Sequence, residues 1–133
     1  MVNLHQKQTE EYTSLSLKQS LKTLRDNYVR NQAQTAVFPA FSSETLCRYR
    51  VVFSGRVQKV GFRLETYELA NRLGLTGFCQ NLENGDVLAE LQGPEDKIQF
   101  LISFMESLRR IKIRNKTVSK LDIAPDETSF RQL

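Results

Sequence analysis

The chain has 133 residues, of which 40% are hydrophobic and 26% charged, and its net charge of +4 favours anionic partners only weakly. This length fits one domain with an extension, and no apolar run approaches the roughly 18 residues that a membrane-spanning helix needs. Two cysteines and one histidine leave no credible zinc site or other metal site, and the N-terminal segment lacks the apolar core of a signal peptide, so we predict a cytoplasmic protein without a cofactor.

Residues 1–45 differ in composition from the rest of the chain, because they contain no glycine and are rich in polar residues. Four apolar or aromatic residues recur at helical spacing: Leu17, Leu21, Leu24 and Tyr28. This stripe predicts an amphipathic helix over roughly 16–32, with Ser14 or Ser16 as its N-cap. Pro39 cannot continue the helix, so an apolar linker is expected around it. The extension could dock on the domain, stay loosely ordered or bind a partner.

From residue 46 to residue 133, strand and helix patterns alternate. Strand patterns occur at 47–54, 75–82, 86–92 and 117–123, with a short further one at 128–132, and helical patterns at 62–73 and 93–110. The Asn-Gly pair between the second and third strands is a hairpin signal. The order βαββαβ predicts an α+β ferredoxin-like sandwich, with two helices on one face of an antiparallel sheet.

The segment SGRVQKVGFR (54–63) joins the first strand to the first helix of this domain. A glycine-bearing loop before a helix directs unpaired N–H groups at one point, which makes an anion site. It is not a Walker loop, since no Gly-Lys-Ser/Thr follows. Arg63 has the wrong sign for the start of a helix, but its guanidinium can bind two phosphate oxygens. Alternatively, Arg63 bends away to a carboxylate such as Glu65.

The loop has no nearby histidine, cysteine or metal cluster, so a phosphoenzyme route through such groups lacks its nucleophile. Hydrolysis of an acyl phosphate needs none of these, because its leaving group is a carboxylate that requires no general acid. Phosphoryl transfer depends mainly on positioning and charge stabilisation. Asn81, near the end of the second strand, could orient the attacking water. Its alternative role is to shape the following turn.

The segment SGRVQKVGFR, followed by LGLTGFCQN, NGDV and LQGPED in this order, closely resembles the acylphosphatase family. The resemblance covers residues 46–133 and implies the ferredoxin-like fold and metal-independent hydrolysis of acyl phosphates to a carboxylate and inorganic phosphate. By the same resemblance, the phosphate-binding arginine is Arg63 and the water-orienting asparagine is Asn81. The phosphate loop that it implies comprises Gln58, Lys59, Val60, Gly61 and Phe62.

Three positions depart from the family pattern. Lys59 replaces a usual glycine, which would cost about 1 kcal/mol if the site needs a positive φ, although its ammonium could also attract phosphate. Cys79 replaces a valine-like residue and is predicted to lie in the core. A basic run follows the second helix of the domain and is predicted to be a solvated helix end and edge strand: Arg109, Arg110, Lys112, Arg114 and Lys116.

Several other functions are compatible with the same topology. A non-catalytic interaction or regulatory module would keep the loop but lose turnover through Lys59. A nucleic-acid-binding sheet needs exposed aromatic rings on its central strands, and the third strand, 86–92, has none. A fragment of a carbamoyl-transfer protein would carry zinc-finger cysteines. We therefore expect acyl phosphates and inorganic phosphate as ligands, no membrane or nucleic-acid partner, and a monomer.

Overall fold

The structure is a computed structural model that describes residues 4–133, with the surroundings of side chains from residue 16 onward. In this part of the chain, three helices and five strands follow one another. They are α1 (Leu4–Thr35), β1 (Leu46–Arg56), α2 (Phe62–Leu73), β2 (Thr76–Asn81), β3 (Val87–Pro94), α3 (Glu95–Ser107), β4 (Lys112–Leu121) and β5 (Phe130–Gln132).

The five strands form one sheet in the order β4-β1-β3-β2-β5. All neighbouring pairs are antiparallel except β2 and β5, which are parallel. The apolar stripes of α2 and α3 pack against the inward-facing side chains of β1, β2 and β3 in a single core. The predicted ferredoxin-like α+β sandwich is therefore confirmed, with β5 as an added edge strand.

Helix α2 has the bounds that its sequence pattern predicts. Gly61 precedes it with φ 80°, and Gly74 follows it with φ 72°. Both conformations are left-handed, which glycine adopts at little cost. The predicted stripe is buried, and Glu65 is buried with it.

The largest boundary differences from the predictions lie around α3 and β4. Strand β3 continues through Pro94, which pairs with Leu46, so α3 begins at Glu95 rather than at 93. Helix α3 ends at Ser107, because Leu108 is extended with ψ 128°. Strand β4 begins at Lys112 rather than at 117, because its early residues pair with the end of β1. Most of the basic run therefore lies on an exposed edge strand, as predicted.

Helix α1 is longer than predicted, and its predicted stripe does not face the domain. With no glycine or proline before Pro39, the helix extends from Leu4 to Thr35, and Ser16 lies inside it rather than at its start. The predicted cap Ser14 lies outside the residues whose side chains are described. Exposure is 58–65% for the four stripe residues, Leu17, Leu21, Leu24 and Tyr28.

A different face of α1 packs on the domain. Val29 and Ala33 are fully buried, and Arg72 Nη1 on α2 donates to the carbonyl of Ala33 at 2.7 Å. The second half of α1 is therefore attached to α2 through small and β-branched residues rather than through the leucine stripe.

No described helix, α1 included, is both long and apolar enough to cross a membrane.

The linker after α1 is attached to α3. Asp96 Oδ2 accepts hydrogen bonds from the N–H groups of Ser42 and Ser43 at 2.8 and 2.9 Å. The N–H of Ser43 is the main cause that lowers the pKa of Asp96 below its ordinary value. Three linker and helix rings, Phe38, Phe41 and Phe100, also pack edge to face.

This packing predicts that the two faces of α1 contribute differently to stability. Val29→Ala removes two buried methyl groups and should lower the free energy of unfolding by about 1.5 kcal/mol. Leu21→Ala, the matched control on the exposed face, should change it by less than about 0.5 kcal/mol. Urea denaturation measures both. A larger loss from Leu21→Ala would show that the leucine stripe, not Val29, holds the helix on the domain.

Candidate active site

The loop between β1 and α2 is held in place by Gln58. Its amide Nε2 donates to the carbonyls of Leu82 at 2.7 Å and Asp86 at 2.8 Å, on the turn between β2 and β3. This side chain is therefore engaged with the neighbouring turn, so any contact of Gln58 with an anion is made by its backbone. The loop and the end of β2 are fixed relative to each other.

The backbone of the loop has hydrogen-bond donors that the described protein groups do not use. Within the described part of the chain, no protein group accepts a hydrogen bond from the N–H groups of residues 58–63. The side chains of Val60 and Phe62 point into the core, where Phe62 lies against Phe53 at 5.0 Å between ring centroids. These two residues can therefore contact a ligand only through their backbone. Such a set of free N–H groups at a helix start suits an anion.

Lys59 has a positive φ of 63°, the one non-glycine residue with this conformation among the described residues. The loop thus has a positive φ at the position where Lys59 replaces the usual glycine. An L side chain there costs about 1 kcal/mol or more relative to the right-handed region. Lys59 is exposed and lines the cavity described below.

Arg63 is the second residue of α2 and does not pair with Glu65. Its Nη1 donates to the main-chain oxygen of Leu133 at 2.7 Å. A guanidinium has five N–H donors in one plane, so this contact orients the group and leaves Nε and Nη2 for a ligand. The C-terminal segment thereby positions the arginine, a contribution that the sequence did not suggest.

Asn81 ends β2, and the following turn does not use its side chain. Instead, Asn84 Oδ1 accepts from the N–H of Asp86 at 3.0 Å, and the turn is closed by the N–H of Leu82, which donates to Asp86 O at 2.9 Å. The alternative role of Asn81 in shaping the turn is therefore taken by Asn84. Asn81 lines the same cavity as Arg63.

One cavity of about 200 Å³ brings these groups together. Its lining includes Lys59, Gly61, Arg63 and Asn81, which the sequence predicted, with Gln132 from β5. It also includes four residues of α1 that the sequence did not predict: Lys22, Arg25, Asp26 and Arg30. These four residues were not identified from the sequence, because the apolar stripe of α1 marks a different face from the one that meets the cavity.

Arg110 was also missed, although it connects the loop with both neighbouring helices. Its Nε donates to Val60 O at 2.8 Å, its Nη2 to Glu65 Oε1 at 3.0 Å, and its Nη1 to Gln32 Oε1 on α1. Burial raises the pKa of Glu65, and the hydrogen bond and charge of Arg110 act against this rise. One signal in the sequence could have indicated this role of Arg110. Glu65 lies on the apolar stripe of α2, and a buried carboxylate needs a cationic partner.

The described residues offer no obvious nucleophile at the loop. Cys79 is fully buried, as predicted, and burial raises the pKa of its thiol to about 12. It therefore stays protonated at neutral pH, and a thiol is a poor nucleophile compared with a thiolate. In the described part of the chain, no group of three or more His, Cys, Asp or Glu residues could hold a metal ion. The arrangement can bind an anion and orient a water molecule.

Comparisons with known proteins agree on one relationship. A family model described as Acylphosphatase matches residues 49–132. The acylphosphatase of Clostridium beijerinckii is 42% identical over 89 residues, which cover 64% of this chain and 96% of that protein. Acylphosphatase-2 of Gallus gallus is 38% identical over 84 residues, covering 57% of this chain and 82% of that protein. The structure of an acylphosphatase from Coxiella burnetii superposes with a TM-score of 0.62 at 28% identity, covering 71% of this chain and 100% of that chain.

The backbone of Lys59 leads to a stability prediction. Lys59→Gly relieves the positive φ and should raise the free energy of unfolding by up to about 1 kcal/mol. Lys59→Ala removes the same charge but keeps a Cβ, so it should not give this gain. The comparison of the two variants by urea denaturation separates strain from charge. Equal stability of the two variants would show that the conformation at this residue carries no strain.

Proposed function

The chain belongs to the acylphosphatase family, and we propose that its loop, Arg63 and Asn81 hydrolyse the carboxyl-phosphate bond of acyl phosphates without a metal ion. The observation that carries this proposal is the shared cavity, which is lined by loop residues, by Arg63 with its guanidinium and by Asn81 with its uncharged amide. The products are a carboxylate and inorganic phosphate.

The phosphoryl group is bound by the loop and by Arg63. The N–H groups of residues 58–63 donate to its oxygens, and the dipole of α2 adds positive potential at the same point. Arg63 binds two further oxygens with Nε and Nη2, while its contact with Leu133 keeps the guanidinium in place. Because the phosphoryl oxygens carry the charge of the transition state, donors fixed before the reaction stabilise it without reorganisation.

Asn81 orients the attacking water. Its amide is neutral at every pH of interest, so it can hold the water in line with the departing carboxylate but cannot take its proton. That proton can pass to a phosphoryl oxygen. The leaving carboxylate is stable as an anion and needs no protonation. The site therefore lacks nothing that this reaction requires, whereas a phosphomonoester would need an acid for its alkoxide.

A non-catalytic module and a nucleic-acid-binding sheet explain the structure less well. On the face of β1 and β3 that points away from the core, Arg48 and Arg50 form ion pairs with Glu90 at 2.9 and 2.8 Å. Base stacking needs exposed aromatic rings at such positions. An interaction module gives no reason for a strained Lys59 beside a set of free donors. We retain as proposals a catalytic domain over 46–133, an extension over 1–45, a monomeric state and a cytoplasmic location.

Hydrolysis should not depend on a divalent cation. The purified protein should release phosphate from benzoyl phosphate at the same rate with and without a chelator, because the loop and Arg63 supply the positive charge. A simple phosphomonoester should be hydrolysed far more slowly. Loss of activity with the chelator, recovered on addition of a divalent ion, would contradict the proposal.

Arg63 and Asn81 should affect different kinetic constants. Arg63→Ala should weaken inhibition by inorganic phosphate at least about tenfold and lower kcat/KM, because two charged hydrogen bonds are lost. Arg63→Lys should recover little, since a point charge cannot replace the planar group. Asn81→Ala should leave phosphate inhibition nearly unchanged and lower kcat about 100-fold, because its partner is the water.

Two neighbouring substitutions serve as controls for these variants. Arg56→Ala removes an equal charge from the exposed end of β1, and Gln80→Ala removes an amide adjacent to Asn81; neither residue lines the cavity. Both controls should keep wild-type kinetics. If Asn81→Ala weakens phosphate binding as much as Arg63→Ala while turnover persists, the assigned roles are wrong. If neither variant affects hydrolysis, the cavity is not the active site.

A further inference from the structure

The cavity contains more positive charge than a single phosphoryl group requires. Besides Arg63 and Lys59, it is lined by three cations of α1: Lys22, Arg25 and Arg30. Among the described lining residues the single carboxylate is Asp26, and Arg25 Nη2 lies 3.1 Å from its Oδ1. Arg63 and the loop already face the phosphoryl group. The cations of α1 are therefore in excess of what the proposed chemistry needs.

Helix α1 is fixed at the point where it meets the cavity. Val29 and Ala33 are fully buried, and Gln32 accepts a hydrogen bond from Arg110, which also binds the loop. A Cβ on Gly61 would lie 2.8 Å from Val29 Cγ2, so the loop and the helix are in close contact. The cations thus lie at fixed backbone positions on a helix, which is a more rigid support than a loop.

The three cations differ in how far they are engaged elsewhere. Arg30 Nε lies 3.7 Å from Glu68 Oε1 in a half-exposed pair, which is weak. Arg25 Nη1 lies 3.4 Å from the carbonyl of Lys59, so this side chain reaches across the loop. Lys22 lies one turn before Arg25 and makes no hydrogen bond or ion pair with the described residues that line the cavity. Lys22 therefore has no competing partner in the cavity lining, and Arg25 is held beside the loop by its contacts with Asp26 and the carbonyl of Lys59.

We propose that Lys22 and Arg25 form a subsite for a second anionic group on the acyl part of the substrate. The substrate class is then a small acyl phosphate that carries a carboxylate or phosphate at its far end. A volume of about 200 Å³ suits such a molecule. This inference rests on the proposed function, since it assumes that the phosphoryl group lies against the loop and Arg63.

Matched aromatic substrates test the subsite. We would compare kcat/KM of the full chain for 4-carboxybenzoyl phosphate and 4-methylbenzoyl phosphate, which are similar in shape, and in which the para group cannot reach the phosphate and cyclise. The carboxylate should be preferred about fivefold, as expected for a partly exposed ion pair, and the preference should fall with added salt. A 4-phosphonobenzoyl phosphate arm distinguishes a phosphate-like group from a carboxylate.

Variants of α1 identify the residues responsible. Lys22→Ser and Arg25→Ser should each reduce the ratio of the two kcat/KM values toward one, and this ratio is insensitive to general losses of activity. Lys18→Ser removes the same charge from an exposed position one turn away that does not line the cavity, and should keep the wild-type ratio. Circular dichroism checks that each variant is folded.

The outcomes separate the two proposals. A wild-type ratio near one, with both substrates hydrolysed, overturns the subsite and leaves the proposed function in place. An equal fall in the ratio for Lys18→Ser also overturns it, because long-range attraction would then explain the preference. Failure to hydrolyse any of the three substrates overturns the proposed function itself. A preference that only Lys22→Ser and Arg25→Ser reduce supports the subsite.

Discussion

The structure around the loop depends on the buried ion pair between Arg110 and Glu65. Glu65 has no exposed surface, and its Oε2 has no hydrogen-bond partner among the described residues. An uncompensated buried carboxylate costs several kcal/mol, so the guanidinium is constrained to this position. There it also binds the carbonyl of Val60 and the amide of Gln32. One cation thus links the conformation of the loop to the packing of α2 and α1.

Unfavourable features accumulate around this loop and share a physical explanation. Lys59 is held at a positive φ, Arg63 lies at the positive end of a helix dipole, and a row of N–H groups has no protein acceptor in the described chain. Each feature lowers stability in the absence of a ligand. An anion at one place would accept hydrogen bonds from the N–H groups and offset the charge of Arg63. Local features that lower stability are expected at functional sites, and here they occur together around one loop.

Local patterns were reliable where one element contains its own signals. Helix α2 was predicted to the residue because Gly61 and Gly74 flank a complete apolar stripe. The starts of α3 and β4 differ from the predictions because strand pairing, which depends on residues far away in the chain, includes Pro94 and Lys112. The leucine stripe of α1 indicated an apolar face, but the helix packs on the domain through Val29 and Ala33. Apolar periodicity shows that a helix has an apolar face, but it does not show which surface of the protein that face packs against.

The sequence by itself determined the sandwich and predicted the loop, Arg63 and Asn81 as site residues, because short motifs and hydrophobic periodicity are carried by residues that are close together in the chain. The tertiary structure decided what surrounds them. It placed Leu133 against Arg63, Arg110 between the loop and Glu65, and the cations of α1 at the cavity. These contacts join residues 34 to 78 positions apart. No local pattern specifies such pairs, because they form only when the packing of separate elements brings their side chains together.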